Sequence, residues 1–162
     1  MSNVSRHRTI SQRYRGRKGV SLFTADLIAP CGMNCGVCSA YLAFTHHIPK
    51  KRGQVWHCAG CRARNKQCSY LKGQCQLLSK GRVSFCSECP DFPCMRLKKI
   101  DNRYRTTYGI SFIQNLEEIR DVGVEMFLDR QTKSFLCGRC RQDVLSIHNN
   151  RCYRCEKITS WR

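Results

Sequence analysis

Cys137-Gly138-Arg139-Cys140, followed eleven residues later by Cys152-Tyr153-Arg154-Cys155, is the stretch that decides how this chain folds. Two thiolates three residues apart on a tight turn grip one metal ion from the same side, and two such pairs complete a tetrahedron. Between the pairs, Val144, Leu145 and Ile147 suit a short strand, and His148-Asn149-Asn150 suits the turn of a hairpin. The pattern is that of a zinc ribbon. Four thiolates already fill the coordination shell, so His148 is expected as a turn residue or as a hydrogen-bond donor to a ligand.

Three further pairs, Cys35/Cys38, Cys58/Cys61 and Cys86/Cys89, repeat the spacing within a total of 14 cysteines in 162 residues. A disulfide needs a specific Cβ separation and torsion, so repeated C-x-x-C makes a poor disulfide framework. The residues after Met1 show no apolar run and no small-residue cleavage site that would direct the chain to an oxidising compartment. The expectation is a cytoplasmic protein whose thiols hold metal. No apolar run approaches the roughly 18 residues of a membrane span, so no membrane partner is expected.

Leu, Ile, Val and Phe total 35 of 162 residues, a level at which apolar burial alone is marginal. Structural metal sites offset that shortage, because metal bound only by the folded chain contributes its binding energy to folding, on the order of 10 kcal/mol per zinc. The predicted fold class is therefore a small metal-stapled α+β protein. Short helices and loops surround Cys-rich metal sites, and a zinc-ribbon hairpin closes the chain.

The formal net charge is +18. Each tetrathiolate zinc site contributes roughly −2, which leaves the surface basic and favours a polyanionic partner, nucleic acid above all. Residues 1–25 form a basic arm with Arg6, Arg8, Arg13, Arg15, Arg17 and Lys18, no acid before Asp26 and few large apolar groups, a composition expected to be disordered until it lies along phosphates. Residues 26–95 are the Cys-rich metal-binding region. Between Asp26 and Glu88 there is no acidic residue, while Lys50, Lys51, Arg52, Arg62, Arg64 and Lys66 are present.

Residues 96–130 are read as helical. Pro93 suits a first helical position, Leu97, Ile100 and Tyr104 share a face, and Ser111 with Gln114 makes a capping-box pattern ahead of Phe112, Leu116 and Ile119. Gly123 reads as a stop, with a shorter turn from Val124 to Asp129 after it. This acidic stretch is expected to pack and to separate two metal regions. Residues 131–162 contain the ribbon.

The ten cysteines before the helices permit two four-ligand sites. Cys35 and Cys38 are paired with Cys58 and Cys61; a second site draws on Cys68, Cys75, Cys86 and Cys89. Cys31 and Cys94 are then spare, or displace one of those ligands. Cys31-x3-Cys35-x2-Cys38 has the spacing of radical-S-adenosylmethionine enzymes, but the βα repeats of their barrel are missing from this stretch. A simpler iron–sulfur cluster within residues 31–94 stays open beside zinc. His57 is an alternative ligand next to Cys58, although an ordinary histidine is the expected reading. His46 and His47 are assigned to the basic surface.

The run from Ala29 to Cys38 with Tyr41 after it resembles the opening of the prokaryotic, bacterial or archaeal, cysteine-rich domain of unknown function 3795 family. Cys58-Ala59-Gly60-Cys61, Phe85 to Cys94, Leu97 to Tyr108, Ser111 to Glu117 and the closing ribbon also fit, over roughly residues 29–157. The family implies metal binding and no established reaction.

Thiolate is the abundant nucleophile here and metal would quench it, no glycine loop for a nucleotide appears, and carboxylates do not pair with histidine. The expectation is a non-catalytic protein with about three zinc ions that binds structured RNA. Ribosomal RNA and neighbouring ribosomal proteins are the expected partners. The alternative is an iron–sulfur protein with an electron-transfer or redox-sensing role. Phosphate contacts are expected from the arm and from Lys50, Lys51, Arg52, Arg62, Arg64 and Lys66; Trp56 or Tyr70 could stack on bases, although burial is the ordinary expectation for Trp56.

Overall fold

A computed structural model describes residues 21–64 and 73–160 of the chain. The basic residues Arg6 to Lys18, and Lys66, Cys68 and Tyr70, lie outside the described residues. Helices α1 (Ser39–Thr45), α2 (Gln76–Ser79), α3 (Met95–Tyr108), α4 (Phe112–Val122) and α5 (Val124–Phe135) alternate with 3-10 turns at Ala25–Leu27, Cys35–Val37 and Cys86–Glu88.

Among the described residues, β pairing is limited to four isolated bridges: Ile28 with Asn34, Lys51 with Val55, Leu136 with Val144, and Leu145 with Cys152. The described residues are mostly short helices and loops, as expected, and of the ribbon hairpin they show two antiparallel bridges and no extended strand. The ribbon chain turns at each cysteine pair, so only short stretches remain to pair. Cys137 N donates to Asp143 O, Leu145 N to Phe135 O and Ser146 N to Arg151 O, at 2.7 to 3.0 Å, and no ladder extends beyond them.

The helical frame follows its caps. Pro93 lies one residue ahead of the actual N-cap of α3, Cys94, and α3 ends at Gly109 in the left-handed region. Ser111 caps α4 by accepting the N–H of Gln114 at 3.2 Å. Asp101 of α3 reinforces this cap. Its buried carboxylate accepts Ser111 Oγ–H at 2.7 Å and Ile113 N–H at 3.0 Å, which ties the middle of α3 to the start of α4.

α4 buries Phe112, Leu116 and Ile119 and packs against both α3 and α5. The short turn expected at Val124–Asp129 is instead α5, running to Phe135. Phe127 and Leu128 bury against the core and Phe135 packs partly on it, so an apolar face continues past Asp129 and holds the helix together.

Residues 21–25, counted with the arm on composition, are packed into this frame. Ser21 Oγ lies 3.2 Å from Leu128 O and 2.9 Å from Thr132 Oγ1, Leu22 N donates to Thr132 Oγ1, and Phe23 is buried in the core. No helix among the described residues is long and apolar enough to cross a membrane.

Candidate metal centres

In the ribbon, the Sγ atoms of Cys137, Cys140, Cys152 and Cys155 all lie within 4.8 Å of one another. Cys137 and Cys155 are 3.9 Å apart and Cys140 and Cys152 are 3.8 Å apart. A tetrahedron with metal–sulfur bonds of about 2.3 Å has an edge of about 3.8 Å. The donor set and its spacing therefore fit one tetrahedral thiophilic ion.

Each half of the ribbon aims backbone N–H groups at its first sulfur. Those of Cys140 and Arg139 pull the Cys137 thiol down to about 7, against the opposing effect of burial. Cys152 receives the same pair of donors from Cys155 and Arg154, but burial dominates there and pushes its thiol up. Burial and then the neighbouring thiols also push Cys155 up. Thiolates this close repel, and a bound cation reverses the sign of that interaction. Glu156 braces the second half: its carboxylate accepts Arg151 Nε at 2.9 Å and Cys152 N at 3.3 Å, and Arg151 above all holds it below its usual range.

A second group gathers around the turn Cys35–Val37. Cys61 N donates to Cys35 Sγ at 3.3 Å, and Cys58 N donates to Ala40 O at 3.0 Å, which fixes the second pair against the start of α1. Burial raises the Cys38 thiol to about 11, countered by the N–H groups of Ala40 and Tyr41 and reinforced by the Cys58 and Cys61 thiols. Cys61 is raised chiefly by Cys35 and then by burial. The thiols of Cys35, Cys38, Cys58 and Cys61 thus act on one another. Among the described residues, however, only the ribbon brings three or more ligand atoms within 4.8 Å.

Cys31 is buried in the preceding loop, where Gly32 is required twice over. Its φ is +85°, and a Cβ there would lie 2.7 Å from Phe112 O and 2.8 Å from Leu116 Cγ. Asn115 Nδ2 donates to Gly32 O at 2.9 Å, so α4 is seated directly on the Cys31–Cys35 loop. The next residue toward the metal turn, Asn34, is buried and accepts Gly36 N at 2.9 Å through Oδ1, while its Nδ2 finds no partner among the described residues.

Cys75, Cys86, Cys89 and Cys94 line one cavity of about 380 Å³. Cys94, a spare thiol on spacing alone, shares that cavity with three of the four cysteines assigned to the second site. The thirteen described cysteines form no disulfide.

The histidines serve packing. His57 Nε2 donates to Ile48 O at 2.7 Å, in keeping with the ordinary reading. His46, assigned to the basic surface, instead pairs with Asp143 of the ribbon at 2.7 Å. His148 Nδ1 accepts Ser39 N at 3.2 Å while its ring stands edge-on to Tyr104 and Tyr108. Burial lowers His148 to about 4, so the imidazole is neutral and Nδ1 is available as an acceptor. Ser39 Oγ and Ser146 Oγ are 2.7 Å apart, and Ile147 N donates to Val37 O at 3.0 Å. The ribbon is therefore docked on α1 and not held apart by the acidic helices. Short polar side chains 107 residues apart give no pattern from which this docking could be read.

Lys50, Lys51, Arg52 and Arg64 are exposed, and Lys51 pairs with Val55 to close a short turn that presents the first three. Trp56 follows at 45 % exposure beside Phe44 at 44 %, which corrects the expectation of a buried tryptophan. Arg62 is turned inward: Nε donates to Ile28 O at 2.5 Å, a second nitrogen donates to Ser84 O at 3.1 Å, and the guanidinium lies 4.7 Å from the Phe85 ring centre.

Clustered thiols on short turns, carried by a frame of small helices, define a cysteine-rich protein whose C-terminal cluster could hold a metal ion. Residues 27–99 match the family described as Protein of unknown function (DUF3795). The match stops short of α4, α5 and the ribbon, which the resemblance read from the sequence had included. A search of curated proteins and a search of solved structures each return no match.

Proposed function

We propose that this is a non-catalytic, zinc-stapled protein that binds structured RNA as a ribosome-associated component. The reading is carried by one observation: Trp56, about half exposed, stands four residues after the exposed Lys50–Arg52 run in a segment without a single acidic residue from 27 to 87. Cations positioned beside an accessible aromatic ring are what a single-stranded or looped RNA engages, phosphates on the charges and a base on the ring. The formal charge of +18 supports the same partner. Zinc is the metal favoured for the ribbon, since four thiolates at a tetrahedral edge make a closed structural site with no open position for chemistry.

Filter binding of the full chain to ribosomal RNA across a salt series, beside a chain lacking residues 1–20, tests this. The truncation spares Phe23 and keeps every described element. The expected result is a weaker affinity and a salt slope flatter by several units, at roughly 0.7 to 0.9 per phosphate contact. If the full chain neither sediments with ribosomes nor binds RNA below micromolar at moderate salt, the RNA reading fails.

A further inference from the structure

We infer that Cys75, Cys86, Cys89 and Cys94 form a second thiolate metal centre, with Cys94 and not Cys68 as its fourth ligand. The inference is independent of RNA binding. The four thiols come from three separate elements and meet at one cavity of about 380 Å³ that Leu78 and Leu97, both buried, help to line. Cys75 is the residue before α2, Cys86 and Cys89 bracket a 3-10 turn, and Cys94 is the N-cap of the 14-residue helix α3.

The backbone around each position fixes where its thiol sits. Cys94 stands at the N-terminal end of α3, and its side chain makes no cap hydrogen bond to that helix. At Cys86 and Cys89 the 3-10 turn repeats that of Cys35 and Cys38, with Cys89 N donating to Cys86 O at 3.2 Å as Cys38 N donates to Cys35 O at 3.0 Å. Arg96, in the first turn of α3, donates to Gln74 O and so ties the segment holding Cys75 to the segment holding Cys94. Cys86 N donates to Pro30 O at 2.8 Å, which anchors the turn beside the Cys31 loop. The cavity is lined mostly by apolar groups, with Gln74, Gln76, Asp91 and Arg96 also on its wall, and one thiophilic centre would neutralise four thiolates gathered there together.

Zinc and the iron of an iron–sulfur cluster share this ligand chemistry. The thiols stand farther apart than in the ribbon, where alone among the described residues three or more ligand atoms fall within 4.8 Å. A cluster of several irons needs that wider spacing, whereas zinc would draw the sulfurs in to about 3.8 Å.

The test uses the full chain purified without oxygen, with metals counted, labile sulfide assayed and the visible spectrum recorded. Cys94→Ser should lose one centre while Cys68→Ser retains the full complement, and Cys94→His, which still offers a ligand, should recover part of the loss. In the lost fraction, sulfide and absorbance near 400 nm identify a cluster, and zinc without sulfide identifies a mononuclear site; either supports the assignment. Retention of all metal by Cys94→Ser would overturn it, as would loss from Cys68→Ser. Zinc held by the ribbon serves as the folding control: a Cys94→Ser chain that keeps that ion and loses another has lost a local centre and not its fold.

Discussion

His148 Nδ1 accepts the backbone N–H of Ser39 at 3.2 Å, so a ribbon residue holds the peptide directly after Cys38. Ile147 N donates to Val37 O at 3.0 Å, and Cys38 is therefore flanked on both sides by bonds from one turn of the ribbon. The two thiol groups are mechanically joined: any shift of the ribbon moves the backbone that aims Cys38.

Disrupting the ribbon should accordingly be felt at the first group. Cys152→Ser with Cys155→Ser should release one metal outright, because all its ligands lie within nineteen residues and the site closes locally. A metal held by Cys35, Cys38, Cys58 and Cys61, as their sequence spacing suggests, would remain but transfer to a chromogenic chelator several-fold faster than in the parent protein. Unchanged transfer would mean that the docking carries no coupling.

The buried contact between Ser39 Oγ and Ser146 Oγ, 2.7 Å long, gives a way to measure that docking. Replacing either serine by alanine leaves the other hydroxyl buried and unmatched, at about 1–3 kcal/mol. The double replacement should destabilise by less than the sum of the two, and a denaturant-melt double-mutant cycle reads the difference. Strict additivity would place the two hydroxyls out of contact in solution.

His148 should behave as a neutral base far below its ordinary range. Burial lowers it to about 4, and the groups facing it, the Ser39 N–H and the rings of Tyr104 and Tyr108, supply no anion to oppose that. The unfolded chain takes up this proton near pH 6.5 and the folded chain only near 4, so this contribution is fully present above about 6.5 and lost as pH falls toward 4. NMR should show the His148 ring titrating near 4. His148→Asn, whose amide oxygen can replace the Nδ1 acceptor, should flatten the pH dependence of stability across that window.

Two glycines with similar backbone angles should respond unequally to alanine. At Gly32 the added Cβ meets Phe112 O and Leu116 Cγ at under 3 Å, whereas Gly53, at φ +69°, has nothing within 4 Å. Gly53→Ala should cost about 1 kcal/mol for the left-handed backbone. Gly32→Ala should lower the melting temperature considerably more, since α4 must retreat from the cysteine loop or the loop must rearrange.

What could be read from the residues and what could not divides along physical lines. The ribbon ligands were legible because thiol spacing is a local property, and so were the caps at Ser111 and Gly123. The length of α5 was not, because Phe127 and Leu128 are separated from Phe135 by polar residues that hide the shared face. The docking of the ribbon on α1 through Ser39, Ser146 and His148 was illegible for a different reason. Small polar groups carry no periodicity, and their partner is set by the packing of every element between them. Phe23 was obscured by the basic run that ends at Lys18, although the adjacent apolar pair Leu22-Phe23 after that run is the signal that could have found it.

Under the proposed RNA-binding function, the exposed basic turn and Trp56 would make two separable contributions. Lys50, Lys51 and Arg52 would act as charges on phosphate, and Trp56 as a stacking surface, so their removal should leave different signatures. Replacing the three cations by alanine should weaken binding most at low salt and reduce the log–log salt slope by about 2 to 3, at roughly 0.7 to 0.9 per contact. Trp56→Ala should weaken binding by about 1–3 kcal/mol with the slope unchanged, because stacking releases no counterion. Arg62→Ala should differ from both. Its guanidinium is taken up by Ile28 O, Ser84 O and the Phe85 ring, so its loss should lower stability first and affinity only through the fold. Salt-series titrations of the three variants against one RNA make the comparison. A slope that falls equally in all three would assign binding to diffuse charge and leave Trp56 without a stacking role.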